Sequence, residues 1–234
     1  MSSAGREVRL DVGRRARIGL DEAILCETKT PAQLSHILDE AAGGGRTMLL
    51  TRLSEPQFQA LRAEHAAVLD YHALSQTGIF GAIAPPEGPA RIAIVTAGSS
   101  DAGVAHEAAR TLAYAGVACE LVCDVGVAGL WRVLEQVDQL AEMDVVIAVA
   151  GMDAAMVSVI GGLVPGLVIA VPVSTGYGVA RRGETALYSS LTSCSPGVAV
   201  VNIDHGFGPA CAALRAIGHA RANRADPVGA AHAR

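Results

Sequence analysis

The sequence predicts an α/β protein, a three-layer parallel sheet with helices on both faces, preceded by a small N-terminal α+β domain. Three observations predict it. Five short apolar runs, at residues 92–96, 120–123, 145–149, 168–171 and 198–201, alternate with helix-compatible segments starting near Asp101, Gly129, Asp153, Gly183 and Phe207. Such alternation builds parallel strands joined by crossover helices. The runs lack a polar face, as strands buried on both sides do, and they break into glycines and small polar residues where loops must approach a ligand closely. The composition, 51% hydrophobic but only 3% aromatic, supplies the Ala, Val, Ile and Leu that such a sheet needs.

Taken in order, the first 20 or so residues interleave Arg6, Arg9, Arg14, Arg15 and Arg17 with Val8, Leu10, Val12 and Ile18. They read as a solvated arm or a helix packing on another subunit, in preference to a phosphate-binding element. Thr30 as N-cap with Pro31 behind it starts a helix that carries Leu34, Ile37 and Leu38 and ends at Gly43-Gly44-Gly45. Residues 48–51 read as a strand. Ser54-Glu55-Pro56 starts a second helix with Phe58, Leu61 and Val68; its periodicity runs on through residues 69–72 and fails at Thr77-Gly78. Residues 83–89, with Pro-Pro and Gly-Pro pairs, form a linker. The chain thus divides into an N-terminal α+β domain with linker, residues 1–88, and a larger α/β domain, residues 89–234. The last ten or so residues read as a frayed tail.

No apolar stretch reaches the ~18 residues of a membrane span, and residues 1–17 are too polar for a signal peptide, so the expectation is a cytoplasmic protein away from membranes. Five scattered cysteines argue for a reducing compartment, and no Cys/His spacing suits zinc. A net charge of -5 argues against nucleic acid as a partner.

Ligands on such sheets bind outside the carboxyl ends of the strands. The tips expected to converge there are Gly98-Ser99-Ser100-Asp101, Asp124-Val125-Gly126, Gly151-Met152-Asp153, residues 174–178 and residues 202–208. Ser99, Ser100 and Asp101 at a helix start suit a phosphate or ribose, although a plain N-cap reads the same. Arg132 offers a planar pair of donors to an anion, or is a solvated helix arginine. Asp153 is a base, a cation ligand or an N-cap. Loops 172–178 and 202–208 should lie side by side. Cys194, in Thr192-Ser193-Cys194-Ser195-Pro196-Gly197, sits at a break in structure and suits a nucleophile better than the more buried reading of a free cysteine. His205 carries protons or is a hydrogen-bonded loop histidine.

Together these tips resemble the LarB family of nickel-pincer nucleotide cofactor biosynthesis, whose C-terminal domain is similar to the PurE-type carboxylases and mutases and is flavodoxin-like. The match lies in Gly98-Ser99-Ser100-Asp101, Asp124-Val125-Gly126-Val127-Ala128-Gly129, Gly151-Met152, Gly161-Gly162-Leu163-Val164, Val171-Pro172, Gly176-Tyr177-Gly178, Ser193-Cys194, Pro196-Gly197, Val200-Val201-Asn202-Ile203-Asp204 and Gly206-Phe207-Gly208. Before Gly98 it continues through Asp11, Arg14, Gly19, Lys29-Thr30-Pro31 and Thr51-Arg52.

The resemblance implies C5 carboxylation of the pyridinium ring of nicotinate adenine dinucleotide with phosphoanhydride hydrolysis, giving pyridinium-3,5-biscarboxylate mononucleotide and AMP. It implies Cys194 as nucleophile and Asp153 as base, with Ser99, Ser100, Asp101, Asp124, Arg132, Gly151, Ser174, Thr175, Tyr177, Asp204 and His205 as substrate-binding residues. It further implies a magnesium ion, no tightly bound organic cofactor, CO2 or bicarbonate as co-substrate, and a homo-oligomer. Three departures stand out. Trp131 replaces the family's histidine, Asp153 replaces a glutamate and shortens its reach by about 1.5 Å, one bond length, and Arg181-Arg182-Gly183-Glu184 replaces a small glycine-rich stretch. They keep two alternatives open, a PurE-like carboxylase or decarboxylase on another nucleotide and a non-catalytic nucleotide-binding paralogue.

Overall fold

The computed structural model describes residues 7–86 and 88–225. The frayed tail expected at the C-terminus, and Arg6 of the N-terminal segment, lie outside these. In the N-terminal part, α1 (Arg14–Ile18) precedes β1 (Ala23–Leu25), α2 (Pro31–Gly43), β2 (Met48–Thr51), α3 (Glu55–Gln59), α4 (Ala63–Ala66), β3 (Leu69–His72) and β4 (Thr77–Phe80). The sheet order is β1-β2-β4-β3, with β1 parallel to β2 and the other pairings antiparallel. The arginines of α1 pair within the chain: Asp11 binds Arg14 and Arg17, and Arg15 binds Asp21. Those two guanidinium groups hold the Asp11 carboxyl down at about 2. The α2 start has the expected capping box, Thr30 accepting from the Gln33 amide while Gln33 accepts from that of Thr30.

The second helix departs from expectation. The Ser54 cap holds, but α3 ends at Gln59, and the segment with Val68 and residues 69–72 is not helical. Val68 is 52% exposed, so it belongs to no buried helical stripe. Residues 69–80 form a hairpin instead, with Tyr71 opposite Gly78 and the Gly78 Cα packed under the Leu69 side chain. Pairing of β4 with β2 buries Ile79 and Phe80, and this outweighs the local helical period.

Between Phe80 and Ile92 the described residues carry neither helix nor strand. Then follow β5 (Ile92–Thr96), α5 (Ala102–Tyr114), β6 (Glu120–Val122), α6 (Leu130–Leu134), α7 (Val137–Ala141), β7 (Val145–Ala150), α8 (Ala155–Gly161), β8 (Leu167–Pro172), α9 (Glu184–Leu191), β9 (Ala199–Val200) and α10 (Phe207–Ala225). The five strands are all parallel in the order β6-β5-β7-β8-β9. Two cores explain the continuous apolar runs. Ile92, Ile94, Val145, Ile147 and Val149 face α5 and α10, where Leu112 and Ala213 meet them. Ala93, Val95, Val146 and Ala148 alternate with these and face Val133, Leu140 and Met156 on the other side. No helix among the described residues is long and apolar enough to cross a membrane.

The small sheet docks on α5. Arg110 donates to the Thr77 hydroxyl, the Asp70 carbonyl and the Asp70 carboxylate, and the Tyr114 hydroxyl donates to the Thr47 carbonyl. Arg52, at the end of β2, reaches across to donate to the Asp204 carbonyl at 2.6 Å. On α5, buried Glu107 accepts from the Gly206 amide at 2.8 Å. Burial pushes the Glu107 carboxyl above its ordinary 4.5, and the backbone amides of Gly206 and Phe207 and the Arg52 charge only partly oppose it.

A carboxyl whose pKa is raised on folding stabilises fully below its unfolded value and loses that contribution as pH rises through the folded one. The melting temperature of Glu107→Gln minus that of the wild type should therefore increase from pH 4 to pH 8. Calorimetry should read roughly 2–4 °C for each kcal/mol of linkage. A difference that stays constant over this range would mean that Glu107 has the same affinity for its proton folded and unfolded.

Candidate active site

From β5 the chain turns to β6 on one side and then crosses to β7 on the other, so the strand order reverses between β5 and β7. Connections leaving these neighbours diverge and open a crevice at the carboxyl ends. A cleft of about 380 Å3 lies there, within the usual range for small-molecule sites. Its walls include Ser99, Ser100, Asp101, Asp124, Gly151, Asp153 and Thr175, drawn from four loops.

Backbone bonds fix these loops to one another. Thr96, buried at the end of β5, accepts from the Asp124 amide at 2.9 Å and so ties the loop after β6 to β5. The Met152 amide donates to the Thr175 carbonyl at 2.8 Å, joining the loops after β7 and β8. Asp204 accepts from the Ser174 amide at 2.8 Å and its own amide donates to the Pro172 carbonyl, so loops 172–178 and 202–208 do lie side by side.

The residues 98–101 turn, a single 3-10 turn over Ser99–Asp101, leads into α5. Ser99 and Ser100 are exposed, whereas Asp101 is 2% exposed. Its Oδ2 accepts from the Gly98 amide at 2.8 Å, and its buried Oδ1 has no hydrogen-bond partner within the protein. Burial raises its pKa; the Gly98 amide opposes this, and the Asp124 charge adds to it. A buried acceptor without a donor suits a ligand hydroxyl.

Six of the eight non-glycine residues with positive φ among those described lie in the loops at this edge: Asp124, Met152, Ala154, Arg181, Arg182 and Asp204. Each such residue carries steric strain of order 1–3 kcal/mol, and strain of this kind collects where loops are shaped for ligands. Met152 and Ala154 flank Asp153, whose exposed carboxylate makes one long contact, to the Ala155 amide at 3.4 Å.

The remaining sequence-derived residues are placed unequally. Arg132 sits at the cleft rim, engaged by Asp124 through its carbonyl at 3.1 Å and its carboxylate at 3.2 Å. Ser174 and Asp204 hold the adjoining loop pair, and Tyr177 projects from it, 85% exposed. His205 folds against Gly208 at the start of α10, and burial and the nearby Arg52 charge lower its pKa. Cys194 is exposed but lies in the connection from α9 to β9. In a parallel sheet such a connection is at the amino edge, so the six-residue β8 separates it from the cleft edge by about 20 Å. There the Ser193 hydroxyl bridges Ser158 of α8 at 2.7 Å and the Ser195 amide at 3.2 Å, which fixes the turn that carries Cys194. Sequence reasoning missed Arg52 and Glu107, which grip the turn bearing Asp204 from outside the cleft.

A doubly wound parallel sheet with an acidic, glycine-bounded cleft at its switch point defines an α/β protein whose ligand site lies at the carboxyl ends of its strands. The AIR carboxylase family model matches residues 91–232, and the LarB/PurE-like N-terminal domain matches residues 3–81. The chain belongs to the LarB family, with a PurE-like C-terminal domain. A curated relative, an uncharacterized protein of Methanocaldococcus jannaschii, is 48% identical over 120 residues, 50% of this chain and 46% of that protein. The chain thus matches about half the length of that relative. Among solved structures, a PurE2 variant from Treponema denticola aligns at 21% identity with a TM-score of 0.42, covering 57% of this chain and 91% of that one.

Proposed function

We propose that this chain carboxylates the pyridinium ring of nicotinate adenine dinucleotide at C5 and hydrolyses its phosphoanhydride, releasing pyridinium-3,5-biscarboxylate mononucleotide and AMP. The observation that carries this reading is the cleft at the switch point, where the unpartnered carboxylate oxygen of Asp101 and the exposed carboxylate of Asp153 share one cavity with the Ser99 and Ser100 hydroxyls. Asp101 accepts from a ribose hydroxyl, the 98–101 turn offers amides and hydroxyls to a phosphate, and Asp153 removes the proton from C5.

An electron-poor ring does not attack CO2 unaided. The Cys194 thiolate adds to the ring and forms a C–S bond, the dearomatised adduct attacks CO2 through C5, Asp153 takes the C5 proton, and the C–S bond breaks to restore the aromatic ring. Because Cys194 lies at the far edge of its own sheet, this chemistry requires the Cys194 of a second copy to face the cleft, and the protein to act as a homo-oligomer. Water supplies the second product by attack on the phosphoanhydride.

Among the described residues no three His, Cys, Asp or Glu side chains are grouped to hold a metal ion. Magnesium, which commonly takes one or two carboxylates together with substrate phosphates, fits this cleft on those terms, with Asp124 as the residue that would hold it. When bound, it neutralises phosphate charge.

The test is incubation of the purified protein with nicotinate adenine dinucleotide, bicarbonate and magnesium, followed by mass spectrometry. AMP together with a mononucleotide heavier by one carboxyl group is the expected result; a dinucleotide recovered unchanged would refute the reading. The distance of Cys194 from the cleft favours one second reading, a PurE-like carboxylase or decarboxylase acting on another nucleotide without a cysteine adduct. It predicts turnover that survives Cys194→Ala.

A further inference from the structure

The cleft is short of positive charge. Asp101, Asp124 and Asp153 all line it, and Arg132 at its rim is already engaged by Asp124. Any phosphate-bearing ligand enters against three carboxylates. Among the described residues, the loops at this edge carry two further cations, Arg181 and Arg182, and neither guanidinium has a hydrogen bond or ion pair within the protein.

Their backbone is unusual as well. Both are left-handed, with φ of 47° and 54°, in immediate succession, a conformation costly for side chains with a Cβ and met by glycine at lower cost. Among the described residues no hydrogen bond or ion pair of either guanidinium offsets that cost. The loop that carries them contributes Thr175 to the cleft wall, and Gly176, at φ 138°, lets Ala180 close against it beside Met152. The arginine pair follows directly on Ala180. Further out, Gly183 packs under the Val173 carbonyl and Ile203, which anchors the loop to the ends of β8 and β9.

We propose that Arg181 and Arg182 form an anion subsite beside the cleft, which takes the phosphate groups of a nucleotide whose ring end occupies the cleft. Each guanidinium offers a planar pair of donors to phosphate oxygens, the geometry in which arginine binds them most strongly. A cleft of about 380 Å3 is small for both halves of a dinucleotide, and the subsite places the phosphoanhydride at its exit. The subsite rests on the function proposed above in that the ligand carries phosphate; pyrophosphate binding tests it apart from the reaction.

Calorimetric titration of the full chain with inorganic pyrophosphate at low ionic strength tests the subsite without turnover. Arg181→Ala/Arg182→Ala is expected to weaken binding by about tenfold or more, in line with the loss of charge-assisted hydrogen bonds. Arg181→Gly/Arg182→Gly, which also relieves the backbone, should lose binding equally while melting at or above the wild-type temperature. Wild-type affinity in these variants, or no measurable binding by the wild type, would overturn the proposal. If pyrophosphate binding depends on the pair although nicotinate adenine dinucleotide is not consumed, the subsite stands and the proposed reaction falls. If the dinucleotide is consumed with the same KM by the alanine variant, the reaction stands and the subsite falls.

Discussion

Two inactive variants, Cys194→Ala and Asp101→Asn, are expected to regain activity when they are mixed under conditions that let subunits exchange. Under the mechanism proposed above, each alone should lose roughly a thousandfold or more in turnover, since one lacks the thiol proposed as nucleophile and the other the buried acceptor of the cleft. In one chain these residues stand at opposite edges of the parallel sheet. A productive site then combines the cleft of one subunit with the Cys194 turn of another, and random pairing of the two variants leaves about one quarter of such sites intact. Recovery near that fraction, with mixed assemblies verified by native mass spectrometry, is the expected result. No recovery in verified mixed assemblies would mean that the thiol and the cleft do not work together.

Gly151→Ala should damage both stability and ligand binding. A Cβ at this position would collide with the Thr175 carbonyl oxygen and stand 2.7 Å from the Thr175 Cβ, so the backbone of the next loop must retreat. That retreat breaks the Met152 to Thr175 hydrogen bond and moves Thr175, which lines the cleft with Asp101. Overpacking of this kind costs about 1–3 kcal/mol, which a chain of this size shows as a fall of several degrees in melting temperature, about 2–4 °C per kcal/mol. Binding of substrate should fall by more than the stability loss explains, because the cleft wall itself has moved. A variant that melts lower yet binds as the wild type would show that Thr175 does not shape the cleft.

Much of the parallel domain was legible because burial on both faces leaves a plain mark. The runs at 92–96, 145–149 and 168–171 coincide with β5, β7 and β8 to within a residue at either end. The caps at Thr30 and Ser54 were equally readable, because capping is a local exchange of hydrogen bonds. The hairpin of β3 and β4 was not, since short strands with one exposed face take their identity from a partner such as β2 that lies elsewhere in the sequence. The cleft followed from a rule of direction, that strand-to-helix loops gather at one edge. The same rule assigns the Cys194 connection, which runs from helix to strand, to the opposite edge, so its separation from the cleft was available in the sequence. The bond from Arg52 to Asp204 spans 152 residues, and no local pattern marks it.

That bond, with those of Arg110 and Tyr114 to the small sheet, supplies the polar part of an interface of the kind that holds two free proteins together only transiently. Joined by a short connection, the two parts see one another at an effective concentration in the millimolar range, so a weak contact keeps the Asp204 turn seated. Severing the connection at residues 83–86 would leave every atom of the contact in place and still make its occupancy depend on dilution. The peptide link here acts as a reagent concentration.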